Sequence, residues 1–263
     1  MKLSVFILCL PIVCLAPDFA VAQPGQRGGP AGSMKGVNLG GAMVKLFGEQ
    51  TGFSAVAEMQ SAITANDKMT VPGKIAYSNG KSRLEMDMTR TRGSTMPPAA
   101  IEQMKAMGMD KMITINRPDK NLQYILYPGL NAYVEQPFND ADSAKSRDDF
   151  KMETKSEGRE TVDGHDFIRN KVEITDKEGN KHLATTWNAI DLDKFPVKIE
   201  QVENGKLSAI LFSDIKLSTP EASVFEPPAG MTKYASSMEM MKNEVMKKYQ
   251  GGAQPPARGQ PPR

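Results

Sequence analysis

The strongest constraint on the fold is a succession of short segments in which apolar and polar residues alternate, separated by turn residues rather than by helices. Residues 81–88 are the clearest case, because every odd position is charged and the even positions from Leu84 onward are apolar. Alternation of this kind has the two-residue period of a half-buried strand. The preceding Asn79-Gly80 is typical of a two-residue hairpin turn. Strands that follow one another through turns favour an antiparallel meander over parallel βαβ units.

The same reasoning extends over most of the chain. The predicted strands are residues 53–63, 69–77, 81–88, 112–116, 123–127, 133–136, 149–155, 165–175, 181–187, 197–202 and 207–217. Three short helices are predicted at residues 42–47, 97–107 and 236–248. In the last of these, Met238, Met241 and Val245 form the predicted apolar stripe. The sequence therefore predicts a mainly β (α+β) domain whose antiparallel sheet is partly covered by short helices.

The N-terminus has the layout of a secretory signal peptide. Lys2 precedes an uncharged stretch at residues 3–16, and Ala20-Val21-Ala22 supplies the small residues of a cleavage site. The apolar stretch is shorter than the roughly 20 residues that span a bilayer, although an uncleaved anchor remains an alternative. We expect residues 1–22 to be removed and the mature protein to be periplasmic or secreted. Both cysteines, Cys9 and Cys14, lie in this segment, so the mature chain would have no disulfide.

The predicted domain is flanked by two tails. Residues 23–33 and 250–263 are rich in Gly, Pro and Gln and contain few residues that could enter a core, so both are predicted to be disordered. The remaining residues, 34–249, have the size of a single large β domain that includes the C-terminal amphipathic helix. The N-terminal signal, one tail, one domain and a second tail make up the expected organisation.

Composition excludes several functional classes. The 33 Lys and Arg nearly balance the 31 Asp and Glu, which argues against a nucleic-acid binder that works by bulk electrostatics. The only histidines are His165 and His182, and neither lies in a recognised catalytic motif. We therefore expect no catalytic residues and no cofactor.

Methionine is abundant, with 18 residues in the chain. Met side chains are flexible and polarisable, so a sheet face lined by Met suits apolar ligands of varied shape, and an ordinary Met-filled core is the alternative. A second alternative is a Cu(I) site, because thioethers bind that ion. The Met groups considered for copper are Met86 with Met88, Met104 with Met107 and Met109, and Met238 with Met240 and Met241. The Lys-bearing segment 231–249 could contact a membrane or an envelope protein partner, or pack on the sheet.

Several short motifs resemble those of the periplasmic lipoprotein carriers and outer-membrane lipoprotein-sorting domains (LolA- and LolB-like). They include the segment YSNGKSRLE at residues 77–85 and the strand pair formed by QYILYP at 123–128 and Ala132-Tyr133. They also include SVFEPPAG at 223–230 and the order of signal, short helix and first strand. The resemblance covers residues 40–230. It implies an unclosed antiparallel β-barrel with capping helices, a cavity that holds acyl chains, and carriage without catalysis.

The resemblance also suggests particular residues. In such carriers an early-strand arginine controls opening by hydrogen bonding to a helix backbone, and Arg83 occupies the matching stretch. The alternative is an exposed strand arginine, because strand alternation places Arg83 on the side opposite Leu84 and Met86. The residues predicted to line an apolar groove are Leu84, Met86, Met88, Ile101, Met104, Met107, Trp187, Ile199 and Leu211.

Overall fold

The computed structural model describes residues 42–64, 67–93, 96–138, 149–162, 165–203 and 206–250. The predicted signal segment at 1–22, the tail at 23–33 and residues 251–263 lie outside the described residues. The predicted turns at 163–164 and 204–205 also lie outside them. Domain boundaries and export therefore stay predictions.

Twelve strands form one sheet in the order β12-β6-β5-β4-β3-β2-β1-β11-β10-β9-β8-β7. All neighbours are antiparallel except β12, which runs parallel to β6. Across the described ranges β12 and β7 are the two ends of the sheet, so the sheet is not closed into a barrel. The fold class predicted from the sequence is confirmed. The strands are β1 (Gly52–Ala62), β2 (Lys68–Ser78), β3 (Lys81–Asp87), β4 (Lys111–Arg117), β5 (Leu122–Tyr127), β6 (Ala132–Pro137), β7 (Lys151–Val162), β8 (His165–Thr175), β9 (Lys181–Ala189), β10 (Phe195–Glu203), β11 (Lys206–Lys216) and β12 (Thr232–Tyr234).

The turn residues account for much of this order. Asn79 and Gly80 have φ values of 47° and 85°, as a two-residue turn with positive φ at both central positions requires, and they join β2 to β3. Most strand boundaries differ from the prediction by one or two residues, and two differences change the assignment of a segment. The strand predicted to end at 155 continues to Val162, and β3 ends at Asp87, where Met88 begins a 3₁₀ turn. The short strand β12 was not predicted.

The sheet has two faces, which the strand register defines. The inner face carries Ala57, Gly73 and Met86, which are paired across β1, β2 and β3. The outer face carries the alternate residues, such as Glu58 and Arg83. Side chains alternate along a strand, so the chain neighbours of an outer-face residue lie on the inner face.

An aromatic cluster covers the inner face at the centre of the sheet. It forms around Phe47, which follows the short helix α1 (Ala42–Lys45) and is 2% exposed. The Phe47 ring centroid lies 4.6 Å from that of Phe53, 5.5 Å from Phe195 and 5.8 Å from Phe212. These rings belong to one buried cluster that extends over β1, β2 and β8 to β11. This part of the interior is filled by the protein's own side chains.

The C-terminal helix α3 (Ser237–Gln250) covers the inner face near β6. Met240 is fully buried and packs with Ala132, Val134 and Tyr234. The predicted stripe is therefore wrong at its first position, because Met238 is 83% exposed. The helix is rotated so that its buried face starts two residues later than the sequence pattern indicated.

The outer face is covered only in part. A 3₁₀ turn at Ala222–Phe225 packs on β4 and β5, where Phe225 is fully buried beside Ile115, Tyr124 and Leu126. The sheet thus has packed layers on both faces, and each layer contacts a different set of strands.

Candidate functional site

A row of methionines crosses the inner face between the aromatic cluster and the α3 cluster. Met86 on β3 is paired with Gly73 on β2 and with Met112 on β4. Met59 on β1 reaches the same row, since its terminal methyl lies 3.1 Å from the position that a Gly73 Cβ would occupy. We call Met59, Gly73, Met86 and Met112 the methionine strip. It spans four strands, or about 14 Å at the usual inter-strand spacing of about 4.8 Å.

The strip is less completely covered than the two clusters beside it. Met86 is 6% exposed, whereas Met59 and Met112 are half-buried. Gly73 contributes no side chain, so the surface of the strip lies closest to the backbone at β2. Tyr127 belongs to the α3 cluster, and burial raises the pKa of its phenol. The surroundings are therefore apolar on the α3 side.

Helix α2 (Pro98–Ala106) lies in the connection that leaves the sheet next to the strip. The last residue pair of β3 and β4 is Asp87 with Lys111, immediately after Met86 with Met112. The apolar stripe predicted for α2 consists of Ile101, Met104 and Met107, and all three are half-buried. Helix α2 has no fully buried residue, unlike α3, which buries Met240. An amphipathic helix with such shallow packing has a low cost of displacement.

The structure does not bring all of the predicted groove residues together. Leu84 and Met86 lie on the inner face, at or beside the strip, while Ile199 is 1% exposed and belongs to the aromatic cluster. Met88 lies in the 3₁₀ turn after β3 rather than on the strand. The groove prediction did not include Met59, Gly73 or Met112. The alternation of β1 and the pairing of β3 with β4 could have indicated that these residues share a face.

The prediction that Trp187 and Leu211 line the same groove is wrong. Both are paired with Lys198, and Leu211 is also paired with Glu58, which places them on the outer face. The Trp187 indole lies beneath Lys198, whose Nζ is 4.1 Å from the ring centroid, and its Nε1 donates to a carboxylate oxygen of Glu160 at 3.2 Å. Trp187 thus packs among charged side chains.

Arg83 lies on the outer face, opposite the strip. Its Nη1 donates to the backbone carbonyl of Val224 at 3.1 Å and its Nε donates to Glu85 at 2.8 Å. The side chain is 16% exposed, so Arg83 is not the solvent-facing strand residue of the alternative interpretation. It binds the backbone of the 3₁₀ turn at Ala222–Phe225. Control of opening by Arg83 stays a prediction.

A second arginine holds the same segment. Arg117 on β4 donates to the backbone carbonyl of Phe225 at 3.3 Å and also to the Glu226 and Asp119 carboxylates. The hydrogen bond from Arg117 lowers the pKa of Asp119. Burial acts to raise the pKa of Glu226, but hydrogen bonds from Lys120 and Arg117 outweigh it and lower that pKa. Sequence reasoning did not identify Arg117, because its partners Phe225 and Glu226 lie over a hundred positions away.

A pocket of about 280 Å³ lies on the outer face beside Arg83. Its charged lining residues are Lys74, Arg83, Glu85, Asp214 and Lys216. A lining with this many charges does not fit the apolar groove predicted from the sequence. The apolar candidate site is therefore the methionine strip on the opposite face.

The histidines do not form part of the strip. His165 is exposed and its Nδ1 lies 3.0 Å from an oxygen of Asp191, while His182 is paired with Ile174 on β8. The described ranges contain no group of three His, Cys, Asp or Glu side chains that could hold a metal ion. Of the Met groups considered for copper, Met238 and Met240 differ sharply in exposure, and Met86 and Met88 do not share a strand. None of the helices in the described ranges is long and apolar enough to cross a membrane.

No protein-family model matches the chain, and a comparison with curated proteins gave no match. Solved structures do match. A LolA superfamily protein from Nitrosomonas europaea is 12% identical, with 69% of this chain and 93% of that chain covered and a TM-score of 0.38. The lipoprotein LppX of Mycobacterium tuberculosis is 9% identical, with 67% and 92% covered and a TM-score of 0.37. LprF of Mycobacterium bovis is 10% identical, with 67% and 95% covered and a TM-score of 0.35.

The matches include the superfamily that the sequence resembles.

Proposed function

We propose that the protein binds an apolar ligand, with the chemistry of a lipid acyl chain, on the methionine strip and performs no catalysis on it. The observation that carries the proposal is the contrast between two filled clusters and the half-covered strip between them. Met59 and Met112 are half-buried, whereas most side chains of the two neighbouring clusters are buried. Thioether side chains can rearrange around a flexible chain at low cost.

In this proposal helix α2 is the cover of the site. It lies in the β3–β4 connection, and its half-buried Ile101, Met104 and Met107 supply the apolar surface for the second side of the ligand. A helix without fully buried residues can move aside without loss of a core contact. Carriage of the ligand in the cell envelope follows from the predicted signal peptide, and an envelope protein or a membrane would exchange the ligand with it.

The first test is native mass spectrometry of the protein exported and purified without detergent, followed by solvent extraction. A co-purifying acyl species is the expected result. Bound copper in place of an acyl species would overturn the proposal in favour of the Met-based copper site. An empty protein that also fails to bind a fluorescent fatty acid would favour an interaction module of another kind.

The second test locates the ligand. The double variant M59Q, M112Q keeps side-chain length and replaces two half-buried thioethers by amides. Binding of the fluorescent fatty acid should weaken about tenfold or more, because each lost apolar contact contributes roughly 1 kcal/mol. The matched control M238Q changes an exposed Met and should leave the affinity unchanged. Equal affinity for the double variant and the control, with unfolding midpoints also equal, would place the ligand elsewhere.

A further inference from the structure

Strand β7 is one end of the sheet, and its residues 151–161 are exposed. In the part of the chain that the structure describes, β7 pairs with β8 alone. The backbone N–H and C=O groups along its other side are therefore available to a further strand. The regular pairing is interrupted by a bulge at Glu157, which lies between the paired residues Ser156 and Gly158, and Gly158 has a φ of 128°. The regular part of this open edge is residues 151–156.

Ion pairs from Arg169 and Lys171 to Glu157 join β8 to β7, but two of the directly opposite residue pairs carry like charges. Glu153 lies directly opposite Glu173, and Lys155 lies directly opposite Lys171. Like charges directly opposite each other destabilise a strand pair. Lys171 is satisfied by Glu157 at 2.9 Å. Lys155 has no ion-pair partner among the residues that the structure describes, so an opposite charge on the open side of β7 would stabilise it.

The charge pattern of β7 is complementary to itself. When a second copy runs antiparallel with Thr154 opposite its own equivalent, Lys151 lies opposite Glu157 and Glu153 lies opposite Lys155. Each pair occurs twice by symmetry, and the Glu153–Lys155 pairs lie wholly before the bulge at Glu157. We propose that β7 is a homodimer contact, in which the β7 strands of two copies pair antiparallel about Thr154 and continue one sheet into the other.

The contact is small, with seven residue pairs, so the dimer belongs to the weak and transient class. Its symmetry makes it closed, because both open β7 edges are used and no further copy can add there. The proposal does not depend on the ligand site, which lies on β1 to β4.

A cysteine cross-link tests the register. In a chain with the substitutions C9A and C14A, T154C places two thiols directly opposite each other across the two-fold axis. Directly opposite residues of antiparallel strands have Cα atoms about 4.5–5.5 Å apart, which is within disulfide range. Mild oxidation should give a covalent dimer. The matched control S156C is two residues further along the same face and should remain monomeric, since its two thiols lie about four residues apart. Cross-linking of S156C instead of T154C would overturn the register.

Charge changes test the contact without a cross-link. Analytical ultracentrifugation over a concentration series up to about 1 mM should show a monomer–dimer equilibrium that weakens as salt is raised. K155E and E153K should each weaken self-association about tenfold or more. An equimolar mixture of the two variants should associate as the unaltered chain does, because every altered position again faces an opposite charge. A strictly monomeric unaltered chain, or a mixture that remains as weak as the single variants, would overturn the proposal.

Discussion

Replacement of Phe47 by alanine should remove a large share of the stability. Phe47 is 2% exposed and its ring contacts three other phenylalanine rings, with centroid separations between 4.6 and 5.8 Å. Truncation of such a ring loses both its burial and its contacts across the resulting cavity, at a cost of about 3–5 kcal/mol. For a domain of this size that corresponds to a decrease in Tm of about 10 °C or more. Guanidinium unfolding followed by circular dichroism gives the free energy directly.

Two comparisons make this measurement decisive. F47L retains most of the apolar volume but not the ring contacts, and it should cost only about 1–2 kcal/mol. M238A changes an exposed side chain and should remain within about 0.5 kcal/mol of the unaltered protein. If F47A is no more destabilising than M238A, α1 is not anchored by this cluster. Fatty-acid binding should persist in F47A, because Phe47 lies outside the methionine strip.

Three further measurements probe other parts of the fold. Because the pKa of Glu226 is lowered in the folded state, its carboxylate stabilises the protein at neutral pH, and this contribution is lost as the pH falls from about 5 through the folded-state pKa. The variant E226Q should therefore show a smaller difference in urea midpoint between neutral and acidic pH than the unaltered chain. An unchanged difference would contradict a stabilising role for the Glu226 carboxylate. G108A should be more destabilising than G179A, although both glycines have positive φ. A Cβ at Gly108 would lie 2.6 Å from a backbone oxygen, whereas a Cβ at Gly179 would meet nothing within 4 Å. Equal unfolding free energies of the two variants would refute the steric argument. R83M removes the hydrogen bond to the Val224 carbonyl and should speed amide exchange in residues 222–226 about tenfold, and protection equal to that of the unaltered chain would show that Arg83 does not hold this turn.

Much of the strand inventory was predictable, and so was part of the pairing. A two-residue turn fixes which residues face each other, so Asn79-Gly80 determines the β2–β3 register. The same logic applied to residues 204–205 would have placed Leu211 opposite Lys198 and away from Ile199, which is how β10 and β11 pair. The outer-face position of Leu211 is therefore predictable from the sequence. Trp187 is different, because a 3₁₀ turn at Ile190–Leu192 and the left-handed Asp193 and Lys194 separate it from β10, and a connection of that length does not specify a register.

The sequence by itself determined most of the secondary structure, since alternation, turn dipeptides and helix-ending glycines act over a few residues. It also determined which residues share a side within each strand. Only the tertiary structure decided which side of the sheet each cluster covers, that β1 pairs with β11, and that α3 buries Met240 instead of Met238. Those choices depend on contacts between residues far apart in the chain. The free energy of such a contact comes from the burial of both partners, and a local sequence pattern does not indicate which residue the partner is.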